Sequence, residues 1–334
     1  MKILAKAAMA GLALIVTTAI FLVIALMIPG LGFRDRVLVG AANSGYLTAV
    51  TALLSLGADP NSKDRRGRPV IVVAAARGHS QILRTLLDAG ASRDAADSSG
   101  FGPILMAARE GHANALTVLL QAGANPNQKL LAGNLGLDSS YATVGATVLL
   151  WDAVHLRYGV FVYGPRRSAD AGDFTPLLLA ACNGHSEAAD VLASNGADVN
   201  GPNSAGLTPL MVASICARPA TITVLITRGA DVNAEYGVRR FTPIALAATV
   251  GCVDCLRILI SRGAAVNVRD AVGATPLMWA TARGNIDAVR AVVQGGADVY
   301  ALDKAGRTAL QWAQEDRRTA IAQFLIETGS SGRR

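Results

Sequence analysis

The stretch TPLLLAACNGH, residues 175–185, recurs along the chain at a nearly constant spacing. Its opening returns as TPLMVA, TPIALAA and TPLMWA, and the four starts lie 33, 34 and 33 residues apart. The same phase extends in both directions, so that eight units begin at Arg36, Pro69, Gly102, Thr175, Thr208, Thr242, Thr275 and Thr308. A period of this length predicts a solenoid, in which each unit buries its apolar face against its neighbours.

Each unit carries the signals of two short helices. Threonine followed by proline favours a helix start, and the later glycine before histidine favours its end. A second apolar run, such as Ile82–Leu87, predicts an outer helix. We expect it to be capped by a glycine 21 residues after each start: Gly57, Gly90, Gly123, Gly196, Gly229, Gly263, Gly296 and Gly329. A turn-forming residue stands five positions before five of the starts: Asp64, Asp97, Asn203, Asp270 and Asp303.

These motifs resemble ankyrin repeats, together with tails such as GADPN at 57–61 and GADVN at 196–200. The resemblance covers roughly residues 34–329. It implies an all-α ankyrin-repeat solenoid of helix-turn-helix units and hairpin loops, which binds a protein partner through its concave groove. The family's histidine after TPL is replaced by aliphatic residues, which predicts apolar packing in place of a polar link: Val72, Leu105, Leu178, Met211 and Met278.

The repeat pattern and the apolar N-terminal run predict how the chain is divided into segments. We expect an N-terminal tail at 1–6, a transmembrane anchor at 7–28, repeats one to three at 34–127, an insertion with one degenerate repeat at 128–173, further repeats and a C-terminal cap at 174–329, and a tail at 330–334.

The N-terminal segment is long and apolar. Residues 8–28 contain no charge, and as a helix they span a hydrocarbon core of about 30 Å. We expect a single-pass membrane protein. Lys2 and Lys6 favour a cytoplasmic N-terminus, which places the repeats on the extracytoplasmic side of a bacterial inner membrane. A signal peptide that is cleaved near residue 30, releasing a soluble exported protein, is the alternative.

Composition and motifs argue against an enzyme. The chain is 51% hydrophobic and 16% charged, which excludes a disordered protein. No phosphate-binding loop, HExxH or GxSxG motif occurs. We therefore expect no cofactor, no metal and no small-molecule substrate. The net charge is +7, but the basic residues are interleaved with 24 acidic residues along the whole chain. We therefore do not expect nucleic acid as a partner either.

An enzyme or redox protein is kept as a rival hypothesis. It would use the irregular segment 147–163 or the CxxC pair Cys252 and Cys255. In phase, however, Cys252 replaces the histidine of the turn and Cys255 takes a buried apolar position. Four cysteines exclude a disulfide scaffold and leave the redox compartment open. Cys182 and Cys216 are expected to lie about one repeat width apart, which disfavours a four-cysteine zinc site.

Recognition is the chemistry that remains. Aromatic residues beside arginines are typical of binding surfaces, and arginine can hold a carboxylate through two hydrogen bonds. We therefore expect a protein partner with an acidic segment. The candidate groove residues are Arg65, Arg66, Arg68, Arg77, Phe101, Arg109, Phe174, Asn183, Leu207, Arg239, Arg240, Phe241, Arg283, Lys304 and Arg307.

Overall fold

The computed structural model describes residues 33–130 and 173–331, except Tyr236, Val238 and Arg239. The chain divides into two compact units, unit 1 up to Leu130 and unit 2 from Leu131. The predicted anchor at 7–28, the segment 147–163 and most of the insertion lie outside the described residues. Within the described ranges there are sixteen helices and no strand, and none of these helices is long and apolar enough to cross a membrane.

Unit 1 consists of three helix pairs. The helices are α1 (Phe33–Ser44), α2 (Leu47–Ser55), α3 (Val70–Ala76), α4 (Ser80–Asp88), α5 (Pro103–Glu110) and α6 (Ala113–Gln121). The two helices of each pair pack together. The first helices of successive pairs also contact one another, as do the second helices, so the unit has two parallel rows of helices.

Unit 2 repeats this arrangement in five pairs. The helices are α7 (Pro176–Asn183), α8 (Ser186–Ser194), α9 (Pro209–Ile215), α10 (Pro219–Thr227), α11 (Pro243–Val250), α12 (Val253–Ser261), α13 (Pro276–Arg283), α14 (Ile286–Gln294), α15 (Ala309–Glu315) and α16 (Thr319–Ser331). The first helices α7, α9, α11 and α13 are almost entirely buried, because neighbouring helices cover them. In α15, the first helix of the last pair, only Ala309, Trp312 and Ala313 are buried. In α11 every residue from Pro243 to Thr249 is buried.

Seven of the eight first helices begin one residue after the predicted start, whereas α1 begins at Phe33, three residues before the predicted start at Arg36. Four threonine side chains accept a hydrogen bond from the backbone N–H three residues later, namely Thr175, Thr208, Thr275 and Thr308. Thr242 occupies the same position, but its buried hydroxyl has no hydrogen-bond partner within the described structure. The threonine cap is therefore confirmed in four of the five units that carry it.

A left-handed turn joins the two helices of a pair. Gly184 ends α7 with a φ of +82°, and a Cβ there would lie 2.7 Å from Cδ of Arg218. Two later pairs make the same turn with Ala217 (φ +53°) and Arg317 (φ +56°). The repeat geometry thus imposes the left-handed conformation even where the residue is not glycine.

The second helix ends at the predicted glycine in every unit except the last. The seven earlier glycines have positive φ, whereas α16 continues through Gly329 to Ser331. The expectation that Gly329 ends its helix is therefore wrong. Its carbonyl accepts a hydrogen bond from the hydroxyl of Tyr300, which satisfies this carbonyl without a left-handed turn.

The aliphatic replacements after TPL are all buried, as expected: Val72, Leu105, Leu178, Met211 and Met278. A polar link nevertheless exists in the last two units, where tryptophan follows this position. The indole N–H of Trp279 donates to Asp270 at 3.0 Å, and that of Trp312 donates to Asp303 at 2.9 Å. The loss of the histidine link is therefore compensated in these two units.

Asparagine side chains connect successive repeats. Asn233 accepts from the N–H of Ala265 at 2.8 Å and donates to the carbonyl of Gly263 at 3.2 Å. Asn200 and Asn267 make the equivalent pair of bonds to the next repeat. In unit 1, Asn61 does the same. The fixed phase of these asparagines is visible in the sequence, but their bridging role requires the stacked repeats.

Candidate protein-binding surface

The hairpin tip of unit 1, residues 63–68, is organised by one carboxylate. Oδ1 of Asp64 accepts from the N–H groups of Arg66 (2.8 Å) and Arg68 (2.9 Å), while Oδ2 lies 2.7 Å from Nε of Arg68. Burial raises the pKa of Asp64, but the hydrogen bonds from Arg68 and Arg66 outweigh it, so the pKa lies below its ordinary value. Asp64 is therefore ionised at neutral pH, and Arg68 is its counter-ion.

Three cations surround this neutralised pair. The side chains of Lys63, Arg65 and Arg66 are exposed. The ion pairs of the described residues include Arg68 but none of these three. Arg65 and Arg66, which the sequence predicts as groove residues, thus present uncompensated charge together with Lys63, which the prediction omitted.

Other predicted arginines are engaged with acidic side chains of their own repeats. Arg240 forms two hydrogen bonds with Glu235, at 2.8 and 3.0 Å. Nε of Arg109 lies 3.5 Å from the carboxylate of Glu110, and its guanidinium lies 5.7 Å from the centre of the Phe101 ring. These guanidinium groups stabilise local structure in addition to any part they play in recognition.

Arg307 is held more closely still. It lies 3.0 Å from Asp303, 3.1 Å from Glu315 and 5.3 Å from the ring centre of Trp312. Burial raises the pKa of Asp303, but the hydrogen bonds from Arg307 and Trp312 outweigh this effect, so the pKa lies below its ordinary value. Asp303 and Arg307 therefore repeat in the last hairpin the arrangement of Asp64 and Arg68 in unit 1.

The predicted aromatic residues are packed inside the repeats. Phe101, Phe174 and Phe241 are exposed by only 2%, 9% and 1%. The ring of Phe241 lies 6.0 Å from that of Trp279, and Leu207 is half-buried. The three phenylalanine rings are therefore part of the buried packing and offer little surface to a partner.

The remaining candidates lie at helix ends and hairpin tips. Nε of Arg77 donates to Oδ1 of Asn43 at 3.1 Å, and the amide of Asn183 donates to the carbonyl of Leu179 at 3.0 Å. Arg283 and Lys304 are exposed. Arg239 lies outside the described residues. Of the candidate residues described in unit 2, Arg283 and Lys304 are therefore exposed and take part in none of the ion pairs of the described residues.

The four cysteines lie in two pairs. Cys252 is the N-cap of α12, and its sulfur accepts from the N–H of the buried Cys255. The Cα atoms of these two cysteines are 5.3 Å apart. Those of Cys182 and Cys216 are 5.4 Å apart, so the expectation that they lie a full repeat width apart is wrong. They stand seven and eight residues after their starts, and this offset brings them together.

Within the described ranges, no cluster of three or more histidine, cysteine or acidic side chains could hold a metal ion. What the geometry presents is a set of stacked helix pairs in each unit, with hairpins that project charged side chains. This is the architecture of a repeat protein that recognises other proteins.

A family model described as ankyrin repeats (3 copies) matches residues 38–129, 156–236 and 244–333, so the chain belongs to the ankyrin repeat family. Ankyrin repeats are interaction modules and generally do not catalyse reactions. No curated protein matches the chain.

Proposed function

We propose that this protein is a membrane-tethered adaptor that binds an acidic segment of a protein partner through the groove lined by its hairpins and first helices. The hairpin tip of unit 1 carries this proposal. Lys63, Arg65 and Arg66 are exposed, and the one acidic side chain among them, Asp64, is already paired with Arg68. Electrostatic complementarity of this kind accelerates association and selects among partners.

The structure separates the charges that should bind from those that hold the hairpin. Reversing Arg68 would break its 2.7 Å contact with Asp64 and disturb the turn. Arg65 and Arg66 can be reversed without loss of an ion pair within the described residues. The variant that tests recognition is therefore Arg65→Glu/Arg66→Glu, with Arg68 retained.

A glutamate-rich peptide labelled with a fluorophore is a suitable partner substitute. The full chain in detergent should bind it, and Arg65→Glu/Arg66→Glu should weaken the Kd by about tenfold or more, because each exposed charge contributes up to about 1 kcal/mol. Added salt should weaken the wild type more than the variant.

The matched control reverses two exposed arginines of second helices, Arg84 in α4 and Arg257 in α12. Arg84→Glu/Arg257→Glu changes the net charge equally, so it should leave the Kd within twofold of wild type. Equal weakening by both variants would mean that overall charge, and not the hairpin tip, attracts the peptide. Circular dichroism would show that both variants are folded.

Tethering rests on the apolar run at residues 8–28, which contains no charge. Lys2 and Lys6 before it favour retention of the N-terminus in the cytoplasm. A tether would raise the effective concentration of the repeats at the membrane. Protease added to cells should degrade the repeats only after the outer barrier of the cell is opened. The intact protein from untreated cells should be found in the membrane fraction.

Two results would change this proposal. Protection of the repeats both before and after opening would place them on the cytoplasmic face. A mature N-terminus near residue 30 would identify a cleaved signal and a soluble exported protein, which could still bind the same partner.

A further inference from the structure

The contact between Cys182 and Cys216 follows from repeat geometry. Asn43 stands seven residues after the start of its repeat, and Arg77 stands eight after the next start, 34 residues later. These two side chains meet, since Nε of Arg77 donates to Oδ1 of Asn43 at 3.1 Å. Cys182 and Cys216 occupy the same two positions, also 34 residues apart. Stacked repeats therefore bring this pair of positions together in both units.

A second contact holds the two cysteines in register. The left-handed turn at Ala217 (φ +53°) directs Arg218 back to the preceding repeat, where its Nε donates to the carbonyl of Cys182 at 2.8 Å. The Cα separation of 5.4 Å lies within the range that a disulfide bond requires. Cys182 is buried, whereas Cys216 is half-buried and can be reached by a reagent.

We infer that Cys182 and Cys216 form a native disulfide bond between consecutive repeats, made by exchange with a protein disulfide in an oxidising compartment. The more accessible Cys216 thiolate attacks the donor disulfide and releases one donor thiolate. The Cys182 thiolate then attacks the sulfur of Cys216 and releases the second. The donor leaves as a dithiol that carries both electrons, and its two thiolates take up two protons in place of those that the cysteines lost.

Such a bond bears on where the repeats reside. Disulfide bonds persist in secreted and periplasmic proteins, whereas cytosolic thiols are kept reduced. Oxidation of this pair in living cells would thus locate unit 2 outside the cytoplasm. The inference is independent of the proposed partner, because counting thiols requires no partner and no binding.

The decisive experiment counts free thiols in the full chain, taken from cells quenched with acid. Cys252→His/Cys255→Ala removes the other pair and uses residues that the chain itself carries at these positions, His185 and Ala188. In this background, a maleimide coupled to polyethylene glycol should add nothing to the denatured chain before reduction and two groups after it. Two additions before reduction would overturn the inference.

A single substitution calibrates the gel. Adding Cys182→Ala to the same background leaves one thiol, so it should give one adduct whether or not the sample is reduced. A disulfide-linked peptide containing Cys182 and Cys216 should appear in the mass spectrum of the unreduced protein. Adducts that disappear only after air oxidation of the purified protein would contradict formation in the cell.

Thermal unfolding gives a second readout. The bond would close a loop spanning 34 residues, so reduction should lower the Tm on the order of 10 °C. Both proteins carry Cys252→His/Cys255→Ala, so that no other cysteine pair responds to reductant. The comparison variant adds Cys182→Ala/Cys216→Val, which uses the residues found at these positions in other repeats, Ala76 and Val250. Its Tm should not respond to reductant. Equal responses in both proteins, or no response in either, would count against the bond.

Discussion

Exchanging glycine and alanine in the turns of unit 2 should separate backbone conformation from side-chain contact. Gly184 has a φ of +82°, and a Cβ there would lie 2.7 Å from Cδ of Arg218. Gly229 has a φ of +90° with no atom within 4 Å of an added Cβ. Ala217 already holds the left-handed conformation, with a φ of +53°. The three substitutions at these sites should therefore change the free energy of unfolding by amounts that differ in both sign and size.

The expected magnitudes follow from these contacts. A left-handed conformation costs an L-residue about 1–2 kcal/mol, and replacing glycine recovers about 0.4–1 kcal/mol from the unfolded chain. Gly229→Ala should therefore destabilise the fold by roughly 0.5–1 kcal/mol, the difference between these two effects. Ala217→Gly reverses the same two effects, so it should stabilise by a similar amount.

Gly184→Ala has an additional cost. The new methyl group must displace Arg218, whose Nε donates to the carbonyl of Cys182 at 2.8 Å. Losing this hydrogen bond adds about 1 kcal/mol, for a total of roughly 2 kcal/mol. The larger cost therefore reports on the contact between repeats and not only on the turn.

Urea unfolding followed by tryptophan fluorescence is the appropriate assay, since Trp279 and Trp312 are buried in unit 2. All proteins should be compared in the same oxidation state. If Gly184→Ala costs no more than Gly229→Ala, the contact with Arg218 does not stabilise the fold. If Ala217→Gly destabilises the protein, the turn at that residue is not strained.

Two further predictions concern the asparagine bridges and the hairpin tip. Asn233→Ala removes two hydrogen bonds to the next repeat and should cost about 1 kcal/mol in urea unfolding, because water partly replaces them at this exposed site; Asn195→Ala, which affects a bond to Val191 within its own helix, should cost less. A carboxyl whose pKa falls on folding stabilises the fold above its unfolded pKa, and this contribution is lost as the pH falls through the folded value. Asp64→Asn should therefore destabilise the protein at neutral pH, and the difference from wild type should shrink below about pH 4; a difference that stays constant with pH would contradict this account.

The candidate binding surface was only partly accessible to sequence reasoning. Arg65, Arg66, Arg283 and Lys304 are exposed as a hairpin or helix-end position suggests. The same reasoning selected Phe241, which is buried against Trp279. Whether the side chain at a given position of the repeat is exposed depends on how side chains of neighbouring repeats pack against it. A single sequence does not report that packing.

Arginine pairing shows the same limit. Arg240 and Glu235 are five residues apart, and nothing in the sequence distinguishes Arg240 from Arg65 as a binding residue. In the folded hairpin, however, Arg240 makes two hydrogen bonds with Glu235. An arginine that already satisfies a carboxylate must exchange that partner before it binds another, which lowers its net contribution to recognition.

The sequence by itself determined the period of the repeat, the starts of all first helices except α1 and all but one of the second-helix ends. These features depend on local chemistry, in which threonine caps a helix, glycine permits a left-handed turn and an aspartate closes a hairpin. The tertiary structure alone decided which arginines are free to bind, that Trp279 and Trp312 satisfy Asp270 and Asp303, and that Cys182 meets Cys216. The last of these is a contact between side chains 34 residues apart, and such contacts exist only once the helix pairs have stacked.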